Sequence, residues 1–188
     1  MTAAPELQVM LAPRAAYARL AAAAGPGGAW VLLRRPLALA GLIGAFVSLT
    51  TTGSLTLRLW PSAALCWSLV PAVQLLGGAA LVALGRRRPL PLSSALDLFF
   101  TAHGPWSLWI LAVGAAATFT LPLGAAALSD NRPVLATAAV PLVWTIVILA
   151  GFCRSVLGLG RAQALLGTAL YQLALWGLAI AYVLWTTR

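Results

Sequence analysis

Charged side chains are scarce in this chain. Only 8% of the 188 residues are Asp, Glu, Lys or Arg, and 62% are hydrophobic, whereas a soluble domain is about 25% charged. A soluble domain of this size could not cover so much apolar surface, because a small protein keeps much of its surface exposed. We therefore expect one domain whose main solvent is lipid.

Lysine is absent, and the twelve basic residues are all arginine, against three acidic residues and a net charge of +9. Such a balance can indicate nucleic-acid binding. Here the arginines form short clusters between apolar segments, and no basic stripe with interleaved aromatic residues is present. Nucleic acid is therefore not expected as a partner. The lack of lysine and the richness in Ala and Leu are typical of a high-GC bacterial genome.

Residues for familiar chemistry are also few. The chain has two cysteines, Cys66 and Cys153, and a single histidine, His103. There is no CxxC, no Cys/His cluster, no GxSxG and no phosphate-binding loop. We expect the cysteines to be small apolar fillers. The sequence predicts no catalytic residue, no metal site and no cofactor.

Long apolar segments dominate what is present. A bilayer core about 30 Å thick needs roughly 20 apolar residues of helix to cross it. Five segments satisfy this, and none contains Asp, Glu, Lys, Arg or His: residues 36–55, 61–84, 105–127, 133–152 and 162–185. The predicted fold class is therefore all-α, a polytopic bundle of five transmembrane helices with short interfacial amphipathic helices.

Arginine placement predicts the orientation of this bundle. With the N-terminus inside, nine arginines fall on one side: Arg14, Arg19, Arg34, Arg35, Arg86, Arg87, Arg88, Arg154 and Arg161. Three fall on the other side: Arg58, Arg132 and Arg188. Cytoplasmic loops carry the excess of basic residues. We expect a bacterial inner (plasma) membrane protein with a cytoplasmic N-terminus and a periplasmic C-terminus.

Two stretches are predicted to lie along the membrane surface. Residues 1–35 form a cytoplasmic N-terminal segment with an amphipathic helix that carries Tyr17, and residues 36–188 form the transmembrane domain. Within that domain, residues 89–104 form a second cytoplasmic amphipathic segment. There Phe99 and Phe100 are expected to face lipid or the bundle, while Ser94 and Asp97 face water.

The tryptophans divide into two predicted groups. Some lie near segment ends, where their amphipathic rings favour the headgroup level: Trp60, Trp106, Trp109 and Trp185. Others lie deeper and are expected to pack between helices: Trp67, Trp144 and Trp176. Polar residues within the segments, such as Thr50 and Gln74, are expected to act mostly as hydrogen-bond links between helices.

Asp97 and His103 are the pair that most resembles a catalytic site. Six residues along a helix correspond to a net rotation of about 240°, so the two side chains point to different faces, and Gly104-Pro105 then breaks the helix. A direct acid–base pair is not expected. His103 is a weak candidate for the axial ligand of a haem or chlorophyll, with Phe99 and Phe100 beside it. Otherwise it is expected at the headgroup boundary.

Two basic clusters are candidate sites for lipid headgroups or partner proteins. They are the Arg86, Arg87 and Arg88 cluster and the turn that carries Arg154 and Arg161. Positive-inside topology alone also accounts for arginine at these positions.

The order of these elements resembles a known family. A short N-terminal segment with a P-x-x-x-aromatic element, Pro13 to Tyr17, precedes the five apolar segments. The second segment is followed by the stretch GRRRPLPLSSALDLFFTAHGPW. The fourth segment carries the stretch WTIVILAGFCRSVLGLGRAQALL. This layout resembles the Yip1-like family of five-span membrane proteins over nearly the whole chain. The resemblance implies a non-enzymatic integral membrane protein. Eukaryotic members are associated with Rab GTPases, but their DLYGP motif is absent here, which argues against a Rab-type GTPase as partner.

Two functions are expected from these observations. The first is a non-catalytic scaffold or accessory subunit of a larger inner-membrane assembly, with membrane lipids and other integral membrane proteins as partners. The alternative is a transport component that handles a lipid or apolar small molecule, for example in a cleft facing Thr50–Thr52 and Gln74. Because no ionisable residue lies in the predicted segments, an autonomous ion-coupled transporter is disfavoured.

Overall fold

The computed structural model describes residues 4–85, 90–120 and 136–186, and every regular element in these ranges is helical. Two short helices come first, α1 (Pro5–Leu11) and α2 (Pro13–Ala22). The remaining helices are α3 (Ala29–Thr52), α4 (Leu59–Cys66), α5 (Leu69–Leu84), α6 (Leu92–Phe100), α7 (Gly104–Thr120), α8 (Ala139–Ser155) and α9 (Arg161–Thr186). A 3-10 turn, Thr101–His103, joins α6 to α7.

Three helical runs are long and apolar enough to cross a membrane: Ala29–Thr52, Leu59–Leu84 and Leu92–Phe119. They correspond to the first three predicted segments, so an all-helical membrane protein is supported. Helix α8 is apolar but shorter, and it begins after the predicted start of the fourth segment, which lies outside the described residues. The fifth segment forms α9, 26 residues long. The described residues do not confirm five spans.

Two of the helical runs begin earlier than predicted. Helix α3 starts at Ala29, so that Pro36, expected at a helix start, lies inside the helix. The third run starts at Leu92. These extensions place Arg34, Arg35, Asp97 and His103 within long helical runs, next to the apolar segments that the sequence predicts.

Helices α1 and α2 begin at Pro5 and Pro13, where the missing N–H of proline costs no helical hydrogen bond. The exposed Arg14 and Arg19 lie away from the buried Tyr17, as the amphipathic pattern predicts. The burial of Tyr17 is nevertheless complete. The segment therefore packs its apolar face against protein.

Helices α1 and α2 pack against helix α8. A Cβ on Gly151 would lie 2.9 Å from Pro13 Cβ, so the absent side chain permits close approach. Tyr17 meets Phe152 edge to face, with ring centroids 5.5 Å apart. The P-x-x-x-aromatic element and the Gly-Phe pair of α8 therefore contact each other. Ser155 Oγ also donates a hydrogen bond to the Arg14 carbonyl, at 3.2 Å.

The buried interior is centred on Phe99 of α6, whose side chain is fully buried. Its ring packs edge to face against Phe100, Phe152 and Tyr171, at centroid distances of 5.6, 5.9 and 5.3 Å. We call Tyr17 and these four residues the aromatic core. Aromatic pairs in this geometry are stabilising beyond the apolar area that they bury.

At the other end of the bundle, α3 and α4 approach closely. A Cβ on Gly44 would lie 2.6 Å from the Trp60 carbonyl oxygen and 2.7 Å from Ala64 Cβ. Trp60 Nε1 donates a hydrogen bond to the Gly41 carbonyl at 2.8 Å. Helix α3 ends at Gly53, which adopts a positive φ of 71° and so favours glycine.

Candidate ligand-binding site

A cavity of about 290 Å³ lies between α3, α5, α7 and α9. Protein interiors are close-packed and contain few voids larger than a water molecule, whereas this half-open space is large enough for a small molecule. Four tryptophans contribute to its wall: Trp67, Trp106, Trp109 and Trp176. Aliphatic side chains of α3, α5, α7 and α9 form most of the remainder. We call this space the tryptophan cavity.

Ring contacts join three of the four tryptophans of this wall. Trp106 packs against Trp109 and Trp176, with centroid distances of 5.8 and 5.1 Å. Trp109 Nε1 donates a hydrogen bond to Thr137 Oγ1 at 2.9 Å, which fixes the orientation of its indole. The sequence predicts Trp106 and Trp109 in one group and Trp67 and Trp176 in another, whereas in the structure all four line one space.

Two polar side chains reach the wall of the tryptophan cavity, Gln74 and His103. Gln74 is only 5% exposed, and its Oε1 has no hydrogen-bond partner among the described residues. Buried polar atoms are rarely left without a partner, because the loss of hydration is not recovered. A mostly apolar cavity with a few polar groups is the usual composition of a small-molecule site.

His103 is buried, 4% exposed, and its place at the headgroup boundary stays a prediction. Its Nδ1 lies 3.4 Å from the Phe100 carbonyl, and its Nε2 lies 3.4 Å from the Tyr171 hydroxyl. A carbonyl only accepts, so Nδ1 carries the hydrogen in that contact and Nε2 of the neutral ring accepts. The ring packs against Phe99 at a centroid distance of 5.5 Å. Its role as an axial ligand stays a prediction.

A second cavity, of about 340 Å³, lies on another side of His103. Helices α1, α3 and α7 line it, and its wall includes the charged residues Glu6 and Arg35 as well as Ser107. His103 and Leu39 contribute to both cavities. These two side chains therefore separate an apolar space from one with a charged edge.

Asp97 is buried beside this region rather than facing water as predicted. Arg34 holds it in a bidentate ion pair, Nε to Oδ1 at 2.8 Å and Nη2 to Oδ2 at 2.6 Å. Arg35 contacts the same carboxylate and also donates to Glu6 Oε1 at 2.8 and 2.9 Å. Two arginines and two carboxylates thus join α1, α3 and α6 in one charge-balanced cluster, which we call the ion-pair cluster.

Asp97 and His103 point to different partners, Asp97 to the ion-pair cluster and His103 to Phe100 and Tyr171. This agrees with the rotation that the helical spacing predicts. Among the described residues, no group of three or more His, Cys, Asp or Glu side chains could hold a metal ion.

Of the two arginine clusters that the sequence predicts as lipid-headgroup or partner sites, the structure describes only the second. Arg86, Arg87 and Arg88 lie outside the described residues. Arg154 lies in the last turn of α8, where a cation is favourable beside the helix C-terminus, and Arg161 begins α9. The ion pairs of the described residues involve only the ion-pair cluster, so neither arginine has a carboxylate partner there.

Several residues of the tryptophan cavity were missed in the sequence. The predicted cleft included Gln74, which does line the cavity, and Thr50–Thr52, which do not. Thr50 and Thr52 bond to carbonyls of their own helix, at 2.8 and 2.9 Å, and not between helices. The available signal was the Trp106–Trp109 spacing, which puts two indoles one turn apart on the same helix face.

No family model matches the chain, and neither a curated protein nor a solved structure shows significant similarity to it.

Proposed function

We propose that this chain is a non-catalytic integral membrane protein that holds a lipid or apolar small molecule in the tryptophan cavity, as a component of membrane transport. The observation that supports this is the cavity itself: about 290 Å³, almost wholly apolar, with Gln74 in its wall, whose Oε1 has no hydrogen-bond partner among the described residues. Of the two functions expected from the sequence, the transport component is the one that this space favours.

The proposed setting is a bacterial inner membrane crossed by five helices, with the N-terminus in the cytoplasm. Three apolar helical runs and many exposed apolar side chains support a membrane environment. For example, Leu76 and Leu173 are 72% and 71% exposed, which suits lipid as the surrounding solvent. The excess of arginine on one side supports the orientation. In this setting the ion-pair cluster lies towards the cytoplasmic side.

A second candidate function is the accessory subunit of a larger membrane assembly. Arg154 and Arg161 favour it, because they lie at one turn without a described carboxylate partner. Such cations can pair with acidic groups of another protein or with lipid phosphates. A Rab-type GTPase partner has no support from these residues.

Native mass spectrometry of the tagged chain, gently extracted from its own membrane, tests the proposal. We expect the 19.5 kDa chain or a simple multiple, with a small apolar adduct bound. Val70→Phe should fill the cavity, which Val70 lines, and abolish the adduct. Leu76→Phe, on the lipid-exposed face of the same helix, should retain it.

Three results discriminate between the candidates. Loss of the adduct in Val70→Phe but not in Leu76→Phe supports binding in the tryptophan cavity. An adduct retained equally in both variants would contradict it. Co-purifying polypeptides without any adduct would favour the accessory-subunit function, and Arg154→Ala with Arg161→Ala should then release them.

A further inference from the structure

The chemistry of the tryptophan cavity narrows the class of ligand, given the proposed function on which this inference rests. Four indole rings form part of its wall. Aromatic rings pack favourably edge to face or in offset stacks against other rings. Indole walls therefore favour a ligand with a planar ring over one made only of saturated chain.

Cavity size limits how large that ring body is. A cavity of about 150 Å³ in an apolar protein interior holds benzene. The tryptophan cavity, at about 290 Å³, has space for a body of about two fused rings. Any longer apolar chain on the ligand would have to extend beyond this space.

The polar groups of the wall indicate which functional group the ring carries. Gln74 is 5% exposed, and its Oε1 is an acceptor without a partner in the part of the chain that the structure describes. His103 Nε2 is also an acceptor, and its distance from the Tyr171 hydroxyl is long, 3.4 Å. A hydroxyl is the simplest group on an apolar molecule that donates to such acceptors, and it can also accept from the NH2 group of Gln74.

We propose that the tryptophan cavity binds an apolar molecule with a hydroxyl-bearing planar ring, such as a phenol, naphthol or quinol, whose hydroxyl donates a hydrogen bond to Gln74 Oε1. The hydroxyl satisfies the amide oxygen, and the ring packs against the indoles. No covalent or redox step is involved.

Two probes that differ only in this donor test the proposal: a decyl-substituted 2-naphthol and its methyl ether. Binding is followed as saturable energy transfer from tryptophan to the naphthalene ring, with the chain in lipid nanodiscs and empty nanodiscs as the background. We expect the naphthol to bind about tenfold more tightly than the ether, the effect of one well-placed hydrogen bond.

Gln74→Leu should reduce this preference to within twofold while ether binding is unchanged, which also shows that the variant folds. Gln74→Met, with a similar length and no acceptor, provides a second variant. Gln172→Leu is the matched control. Gln172 is 6% exposed and also has an unpartnered Oε1, but it does not line the tryptophan cavity. Its substitution should leave the tenfold preference intact.

The possible failures are distinguishable. Saturable binding of both probes with equal affinity would overturn the hydroxyl inference and leave the proposed function standing. A preference that survives Gln74→Leu would overturn the role of Gln74. Absence of saturable binding of either probe would overturn the inference together with the proposed function.

Discussion

The region around the aromatic core and the region around the tryptophan cavity are built from similar residues but are packed differently. Around Phe99, rings meet edge to face and the charges of Arg35 and Asp97 are paired. Around Trp106, four indoles border a space of about 290 Å³, and Gln74 Oε1 has no partner within the described ranges. One region satisfies its own side chains, whereas the other leaves a space and an acceptor with no partner among the described residues. Substitutions in the two regions should therefore have different consequences.

The largest expected effect is at the centre of the aromatic core. Phe99→Ala should lower the free energy of unfolding by about 4 kcal/mol, because it removes a fully buried ring and leaves a cavity. Phe119→Ala is the control. Because Phe119 is 78% exposed, this substitution should lower the free energy of unfolding by less than about 1 kcal/mol. Denaturation in mixed micelles measures both. Equal losses would contradict a core centred on Phe99.

The ion-pair cluster should show the next largest effect. Asp97→Asn removes the carboxylate that both Arg34 and Arg35 contact and leaves the mostly buried Arg35 poorly paired. The free energy of unfolding should therefore fall by about 3 kcal/mol. Glu6→Gln should cost less than about 1 kcal/mol, because the Glu6 side chain is 41% exposed. The same denaturation measures both variants. An Asp97 variant as stable as the Glu6 variant would show that Asp97 is not buried.

Glycine substitutions test how tightly the aromatic core is packed. In Gly78→Ala the new Cβ would lie 2.9 Å from the Phe99 ring, so a loss of about 2 kcal/mol is expected from overpacking. In Gly41→Ala the Cβ meets nothing within 4 Å, and the higher helix propensity of alanine should stabilise the chain by about 0.5 kcal/mol. Thermal unfolding of the two variants should shift in opposite directions. A stabilising Gly78→Ala would disprove the close contact.

The smallest expected effect is at the cavity wall. Gln74→Leu should stabilise the ligand-free chain by about 1 kcal/mol, because it removes a buried acceptor that has no partner. Thr101→Val should instead destabilise by about 1.5 kcal/mol, since Thr101 Oγ1 lies 3.1 Å from the Tyr17 hydroxyl and 2.6 Å from the Leu98 carbonyl. Unfolding of delipidated protein measures both. A destabilising Gln74→Leu would mean that the protein itself satisfies this amide.

The coarse architecture followed from the sequence because it depends on composition and length. Long apolar segments without charge predict membrane helices, and three of the five predicted segments overlap helical runs long enough to span. The amphipathic pattern also placed Arg14 away from Tyr17 correctly. Such properties are local, so a single sequence is sufficient for them.

The burial of the amphipathic segments could not be predicted in the same way. An apolar face looks the same in sequence whether it contacts lipid or protein. Tyr17 was therefore expected along the membrane surface, although it packs against Phe152 of α8, and for Phe99 the pattern left lipid and the bundle open. Asp97 was expected in water because its partners, Arg34 and Arg35, are more than sixty residues away in the chain.

The tryptophan cavity was the least predictable feature. Its wall combines α3, α5, α7 and α9 with the 3-10 turn, and helical periodicity gives no information on which helices become neighbours. Trp106 and Trp109 fitted the pattern of membrane-interface anchors equally well. Of the residues in this wall, only Gln74 was placed in a cleft, because a polar residue inside an apolar segment suggests a partner.

Photolabelling in native membranes would test most directly whether the tryptophan cavity is a ligand site. The membranes are incubated with a decyl-naphthol that carries a diazirine and are then irradiated. The labelled residues are identified by mass spectrometry, with and without excess lipid extract from the same membrane as competitor. We predict that both Ile43, which lines the cavity, and Leu76, which faces outward, are labelled. The lipid extract should abolish the label on Ile43 and leave the label on Leu76 unchanged. If the lipid extract left the label on Ile43 unchanged, as it should leave the label on Leu76, the tryptophan cavity would not be a specific ligand site.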